Sequence, residues 1–362
     1  MPENPSPRFS TRDLLAPTAL FLGALLLAGA FALGPIIASG LKKVPLDIDA
    51  AWVADGSDGS RVLDRCSIGE PRARVLEAQV QQHRRIVAVR PADSDEVTLQ
   101  AGTSLGVSEY TVDGRSVEAK DVCGEETLAA TIDRVTVDRS TALPTGGASE
   151  VLYDDQKGAV PIPDRNAFTY LLPYGFQTSA PRYFDVPTRQ RVPLQREGTA
   201  TVDGRETVHF VADVPDTDLS RFDSRAILTR PASWFGSFRG VPPEEPLTAT
   251  LHHSSRRDLF VDAETGVIVD ERVAITEDYR FAPDVAERFP ELHDFRLTNV
   301  DTTLTGDQQS RTEAADAASA REWPVTLTEL ILPIVFGVLG ACALIVGVVV
   351  TLRDRRARSD GD

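Results

Sequence analysis

The pentapeptide Gly102-Thr-Ser-Leu-Gly106 has the spacing of a nucleophile elbow, in which a serine on a sharp strand-to-helix turn attacks an acyl carbon. That chemistry needs a helix to begin just after the serine. Here Val107–Val112 reads as a strand, so Ser104 is expected in a β-turn, and a serine hydrolase is not the favoured reading. His252 and His253 are adjacent; on a strand they point to opposite faces and cannot readily chelate one metal together. His83, His209 and His293 stand alone. Asp55-Gly-Ser-Asp-Gly59 suggests a calcium loop, but counting back from Gly59 puts Ala54 and Gly56 where an EF-hand needs acids. With no C-x-x-C pair and no Cys/His cluster, a structural zinc site is unsupported. The expectation is a non-enzymatic protein without cofactor or metal.

The aromatic residues are unevenly spread. Phe168, Tyr170, Tyr174, Phe176, Tyr183 and Phe184 fall close together, and Trp234, Phe235 and Phe238 form a second group flanked by prolines. In a sheet protein such residues build the core or line an apolar groove between β units. Tyr170, Tyr174, Phe176, Tyr183, Trp234, Phe235 and Phe238 are therefore the candidate ligand contacts.

The elements that would position them begin with two apolar runs. Leu14–Leu41 and Leu330–Leu352 contain no charged residue. At about 1.5 Å per residue each can cross a hydrocarbon layer of roughly 30 Å as a helix. The first is far longer than the apolar stretch of a signal peptide and reads as an uncleaved anchor. Arg353, Arg355, Arg356 and Arg358 follow the second run and place the C-terminal tail in the cytoplasm by the positive-inside rule. Around the first run the signal is balanced, with Arg8 and Arg12 before it and Lys42 and Lys43 after it. Two spans put both termini on one side, so the intervening region is expected outside the cytoplasm. The resulting plan is a tail 1–13, a span 14–41, an ectodomain 42–306, a helical stalk 307–326, a span 327–352 and a tail 353–362. The formal charge of −16 falls entirely between the two ends, each of which is neutral. An acidic ectodomain excludes a phosphate-backbone binder and attracts no anionic headgroups. Cys66 and Cys123 fall in the oxidising compartment and are a candidate disulfide, worth a few kcal/mol if unstrained.

Between the spans, short β-branched runs such as Arg85–Arg90, Glu96–Gln100, Thr131–Val137, Thr207–Val211 and Val267–Ile275 alternate with Gly, Pro and Asp. This predicts a β-dominated α+β protein with an antiparallel ectodomain. Thr111-Val-Asp-Gly-Arg115 recurs as Thr201-Val-Asp-Gly-Arg205, and Val137-Asp-Arg-Ser-Thr141 is echoed by Val261-Asp-Ala-Glu-Thr265. Two related β units, 42–160 and 161–306, would account for both echoes, with an insertion around 213–246.

Lys43-Val-Pro-Leu-Asp47, Val137–Thr141, the block Tyr170–Asp185 and Arg257-Asp-Leu-Phe-Val-Asp-Ala-Glu-Thr-Gly266 together resemble the actinobacterial membrane proteins of the porin PorA family. The resemblance spans most of 14–352. Phe260 and Ala263 stand where the family commonly has Trp and Pro. It implies architecture and compartment and carries over no catalytic residue. A transmembrane β-barrel needs many strands of about ten residues with apolar side chains outward, and these runs look short, proline-broken and charged on no consistent face. Two helical spans are also too few to enclose a pore without oligomerisation. The reading placed first is therefore a doubly anchored envelope protein whose ectodomain binds an apolar or lipidic ligand. A scaffold for envelope protein partners comes second, and pore formation or hydrolysis last.

Overall fold

The computed structural model describes residues 11–359, apart from 123, 125–126, 154–156 and 177–180. The chain divides into two compact units, Met1–Lys43 with Ser319–Asp362, and Val44–Ala318.

In the first unit the apolar sequence forms two long helices. One covers Thr11–Leu41. The other is Leu332–Ser359, preceded within this unit by a π-helical segment, Leu327–Ile331. Both are long and apolar enough to cross a membrane. They pack antiparallel through glycines. A Cβ on Gly23 would lie 2.7 Å from Leu344 Cγ and 2.9 Å from the Gly340 carbonyl, and one on Gly347 would lie 2.7 Å from Leu20 Cγ. Close approach of backbones at small residues is how helices associate where lipid removes the hydrophobic driving force. At one end Lys42 Nζ pairs with Glu329 Oε1 at 2.7 Å.

The second unit is β-dominated. Its strands are β1 (Asp49–Gly56), β2 (Arg61–Leu63), β3 (Val75–Ala92), β4 (Glu96–Val112), β5 (Arg115–Glu118), β6 (Thr127–Asp138), β7 (Pro144–Tyr153), β8 (Val160–Pro161), β9 (Arg182–Asp185), β10 (Gln190–Pro193), β11 (Gln195–Val202), β12 (Arg205–Asp218), β13 (Ile227–Pro231), β14 (Pro246–Asp262), β15 (Ile268–Phe281) and β16 (Leu297–Gly306). All but β9 and β10 join one antiparallel sheet in the order β11-β12-β14-β15-β16-β1-β3-β4-β6-β7-β8. Two meanders therefore meet where the last strand, β16, pairs with the first, β1. The strands are longer than the sequence suggested: β3 has 18 residues and β4 has 17, so the separate runs Glu96–Gln100 and Val107–Val112 belong to one strand.

Length lets the sheet curl. Val97 and Leu99 of β4 and Val135 and Val137 of β6 share a core with Phe210 of β12 and Leu259 and Val261 of β14, although four strands separate β4 from β14 in the order. Phe168, Leu172 and Tyr183 fill the space between these faces. A second core gathers Trp52, Val80, Tyr110 and Leu304, and a third gathers Trp234, Phe235, Leu247 and Tyr279. Outward positions are polar: Glu77, Gln79, His83 and Arg85 are exposed on β3, and Arg272 and Thr276 on β15. Polar rows of this kind on β3 and β15 are unlike the apolar belt of a membrane barrel. The first turn after β16 docks on the sheet, where Val53 N–H donates to Ser310 Oγ at 2.8 Å, so the 307–326 segment is tied to this unit from its start.

The echoed pentapeptides have the same local structure. Asp113-Gly114 and Asp203-Gly204 are both left-handed, which matches the twist of a two-residue hairpin. In the second pair, Asp138 Oδ1 accepts from the Thr141 N–H and hydroxyl, and Asp262 Oδ1 accepts from the Thr265 N–H and hydroxyl. A third copy, unnoticed in the sequence, joins β9 to β10: Asp185 Oδ2 accepts from both groups of Thr188. The residue after each Thr (Ala142, Arg189 and Gly266) has positive φ. At Gly266 no side chain fits, because a Cβ would lie 2.3 Å from the Leu172 carbonyl oxygen.

Candidate functional site

Inside the curled sheet lies a cavity of about 700 Å³. It is lined from one side by β3, β4 and β6 and from the other by β14, β15 and β16, with Thr169, Tyr170, Tyr183, Val186 and Pro187 and residues of 219–226 between them. The lining follows from strand parity. Successive side chains on a strand alternate between faces. On β14 the inward row runs Leu251, His253, Ser255, Arg257, Leu259, Val261, and on β15 it runs Glu271, Val273, Ile275, Glu277, Tyr279. Polar and ionic groups thus interrupt an otherwise apolar stripe. The charges that looked scattered along the sequence include a set, Arg84, Arg257, Glu271 and Glu277, that shares this inner face.

These groups are compensated in pairs. Arg84 Nη2 donates to Glu271 Oε2 at 2.6 Å, and Arg257 Nη1 donates to Glu271 Oε1 at 2.8 Å. Arg257 also lies 3.4 Å from Asp185 Oδ1 and 5.3 Å from the Tyr183 ring centre. Burial opposes the charge on Glu271, but the two guanidinium groups outweigh it and hold the carboxyl below its ordinary range. Burial pushes the Tyr183 phenol up to about 12, so it is a neutral donor. At the cavity's other wall Arg165 grips Asp133 in a two-pronged pair, both bonds 2.8 Å, and the Tyr170 hydroxyl donates to Asp133 Oδ2 at 2.5 Å. His253 Nδ1 and Asn299 Nδ2 both bond Glu277, at 2.8 and 2.7 Å.

Of the seven aromatic candidates, Tyr170 and Tyr183 border the cavity. Phe176 packs against Phe210 with ring centres 5.8 Å apart, and Tyr174 is half-buried nearby in sequence. Trp234, Phe235 and Phe238 do not border this cavity. They pack edge-on into the third core with Phe281 and Phe295, since buried rings prefer tilted neighbours to an open face. Ser104 lies in the middle of β4, opposite His83 and Ala130, and not in a turn. No helix follows it, so nothing aims its hydroxyl as an elbow would. His252 and His253 face opposite ways: His252 approaches Asp216 at 3.4 Å, while His253 is buried on Glu277. Among the described residues no three His, Cys, Asp or Glu side chains are grouped to hold a metal. Cys66 is disulfide-bonded and Cys342 is free; Cys123 lies outside the described residues. Arg353, Arg355 and Arg356 are exposed, and the Arg358 side chain lies outside the described set. The cavity's polar lining was missed because its signal, charged residues at core-facing parity, appears only once strand pairing is known.

The profile of a protein family described as Porin PorA matches residues 15–349, taking in most of both long helices and the β-dominated unit between them. The chain is 24% identical to a protein named Porin PorA from Corynebacterium resistens, over 96% of this chain and 98% of the relative. It is 23% identical to a Porin PorA from Corynebacterium amycolatum, over 91% of this chain and 96% of the relative. The relatives' name overturns the order in which the sequence ranked functions, where binding of an apolar ligand and scaffolding stood ahead of pore formation. The physical objection applied to a pore made by the strands and did not touch one made by helices of several copies. With a match spanning both apolar helices and the whole sheet, the chain belongs to the Porin PorA family.

Proposed function

We propose that this chain forms, together with further copies of itself, an aqueous pore across an envelope membrane. The observation that carries the reading is the family match over both helices and the ectodomain, to relatives named porin. The geometry favours a helical pore over a strand pore. The outward face of the sheet is polar, whereas both helices expose Leu, Ile, Val and Phe along most of their length. Two helices cannot surround a water-filled lumen, so each copy would supply one wall. The Gly-based pairing of the two helices makes each copy a defined unit for such assembly. The ectodomain lies outside the cytoplasm in this reading and the Arg353–Arg356 tail inside, as the positive-inside rule requires.

Purified full-length chain in planar lipid bilayers should give stepwise single-channel conductance. A folded, demonstrably inserted chain that passes no current over a wide range of protein-to-lipid ratios would refute the pore. Orientation is separable: a cysteine placed at Arg355 should resist an impermeant thiol reagent added to intact cells, and ready labelling would reverse the topology.

A further inference from the structure

We propose that the cavity inside the curled sheet binds a neutral saccharide, with the hydroxyls of Thr103, Thr131, Tyr153 and Tyr183 as its hydrogen-bond partners. This goes beyond the pore reading and does not depend on it.

Strand register brings these groups together. Arg84 of β3 pairs with Thr103 of β4, Thr103 with Thr131 of β6, and Thr131 with Tyr153 of β7. Residues directly opposite one another in a ladder point to the same face. All four members of this row line the cavity, and Tyr183 of β9 lines it too. Arg84 is held by Glu271, but the rest of the set is unsatisfied within the protein. Among the described residues the hydroxyls of Thr103, Thr131, Tyr153 and Tyr183 have no hydrogen-bond partner, and none of them is sealed from water. As whole residues Tyr153 and Tyr183 are only 8% and 6% exposed, so each ring is buried while its hydroxyl stays open. Tyr170 differs, because its hydroxyl is committed to Asp133. Burial keeps the Tyr183 phenol neutral, able both to donate and to accept.

The charges on the wall favour a ligand without charge. Glu271 holds Arg84 and Arg257, Asp223 holds Arg225, and Arg165 holds Asp133. Glu277 is bonded by His253 and Asn299 and feels the charge of Arg65. An ionic ligand would draw one of these groups from its partner and leave that partner buried and uncompensated, which is costly. A neutral ligand leaves every pair intact. The same arginines fix the rings: Arg225 lies 4.0 Å from the Tyr153 ring centre and Arg257 5.3 Å from that of Tyr183. The open hydroxyls are thus carried on supports that are in place before a ligand arrives.

Hydroxyls on the wall match hydroxyls on the ligand. Each such group donates and accepts, so wall and sugar can alternate roles. An apolar ligand would strip water from the four hydroxyls and replace none of it. The cavity's volume of about 700 Å³ lies within the usual range for small-molecule sites, roughly 300–1,000 Å³.

The test uses the full-length chain in nanodiscs and calorimetric titration with glucose, galactose and maltose. Glucuronate and galacturonate add a charge to the same ring, and tetraethylene glycol is neutral but carries ether acceptors in place of most hydroxyls. At least one of the three sugars should bind at millimolar concentrations, with both uronates and the glycol at least about tenfold weaker. Tyr183→Phe, and separately Thr103→Val with Thr131→Val, should each weaken that sugar about fivefold or more. The unfolding midpoints of the variants should not fall, because the deleted hydroxyls have no partner in the protein. Absence of binding by all three sugars, a uronate that binds as tightly as the best of them, unchanged sugar affinity in both variants, or a lowered midpoint in both would each overturn the proposal.

Discussion

The helix pair and the sheet unit solve close packing in opposite ways. Between the long helices, contact depends on side chains that are missing: Gly23, Gly340 and Gly347 let Leu20, Leu27 and Leu344 sit directly on backbone. Inside the curled sheet, contact depends on side chains that are costly to bury, the ionic groups around Glu271, Asp133 and Glu277. The contrast follows from the solvent each region faces. In lipid, apolar surface is gained at no advantage, so dispersion at close range decides. In water the sheet obtains its stability from apolar burial, and the buried charges are tolerated only while every one has a partner. Adding atoms should therefore harm the first region most, and removing a single partner should harm the second.

The largest effect is expected in the helices. Gly23→Leu places its Cβ against the Gly340 carbonyl, which is backbone and cannot swing aside. The pair should come apart, shifting the distance between spin labels on the exposed positions 14 and 352 by about 3 Å or more, against a normal axis separation of roughly 8–10 Å. Bilayer conductance should vanish with it. An unchanged label distance would mean that these glycines do not hold the pair.

Next in size is Asp133→Ala in the sheet unit. It leaves the buried Arg165 guanidinium without its two bonds and the Tyr170 hydroxyl without an acceptor. Breaking a buried pair in this manner costs about 3–5 kcal/mol. The sharper form is the double change Asp133→Leu with Arg165→Met, which should recover most of the loss in chemical denaturation. If the double change is as damaging as the single one, the pair contributes more than mutual compensation.

Much of this architecture was legible in the sequence, and the parts that were not share a cause. The spans are visible because a run without charge, Leu14–Leu41 or Leu330–Leu352, has few other uses. The hairpin turns are visible because Asp-Gly at 113–114 and 203–204 and Asp-x-x-Thr at 138–141 and 262–265 are local structures written in adjacent residues. The third Asp-x-x-Thr, at 185–188, lacked the flanking Val-Asp that drew attention to the other two. Its presence shows that the motif marks a hairpin geometry wherever one is needed, independent of any duplication. The cavity was illegible because it depends on pairing between distant strands. Arg84 meets Glu271 across 187 positions, and Asn299 meets Glu277 only after a bulge between Glu277 and Asp278 shifts the register. Aromatic clustering pointed instead at Trp234, Phe235 and Phe238, which fill a core.

The smallest of the expected effects concerns pH and tests whether the buried ions of the sheet act as pairs. Burial by itself would lower the pKa of His253, but its hydrogen bond to Glu277 and that group's charge outweigh burial and raise it above the ordinary 6.5. Burial would raise Glu277, yet His253 and then Asn299 bring it below the ordinary 4.5. A raised histidine contributes stability that is fully present below its unfolded pKa and is lost as pH rises through the folded value. A lowered carboxyl contributes stability present above its unfolded pKa and lost as pH falls through the folded value. The pair therefore favours the folded state most between about pH 4.5 and 6.5, with an alkaline decline that belongs to His253. His253→Gln keeps a donor for Glu277 but carries no proton to lose. It should cost on the order of 1 kcal/mol near pH 6 and flatten the alkaline limb, leaving the acid limb in place. Unfolding midpoints from pH 4 to 9 would measure this. An alkaline limb of unchanged slope in the variant would assign the decline to other groups and detach His253 from Glu277.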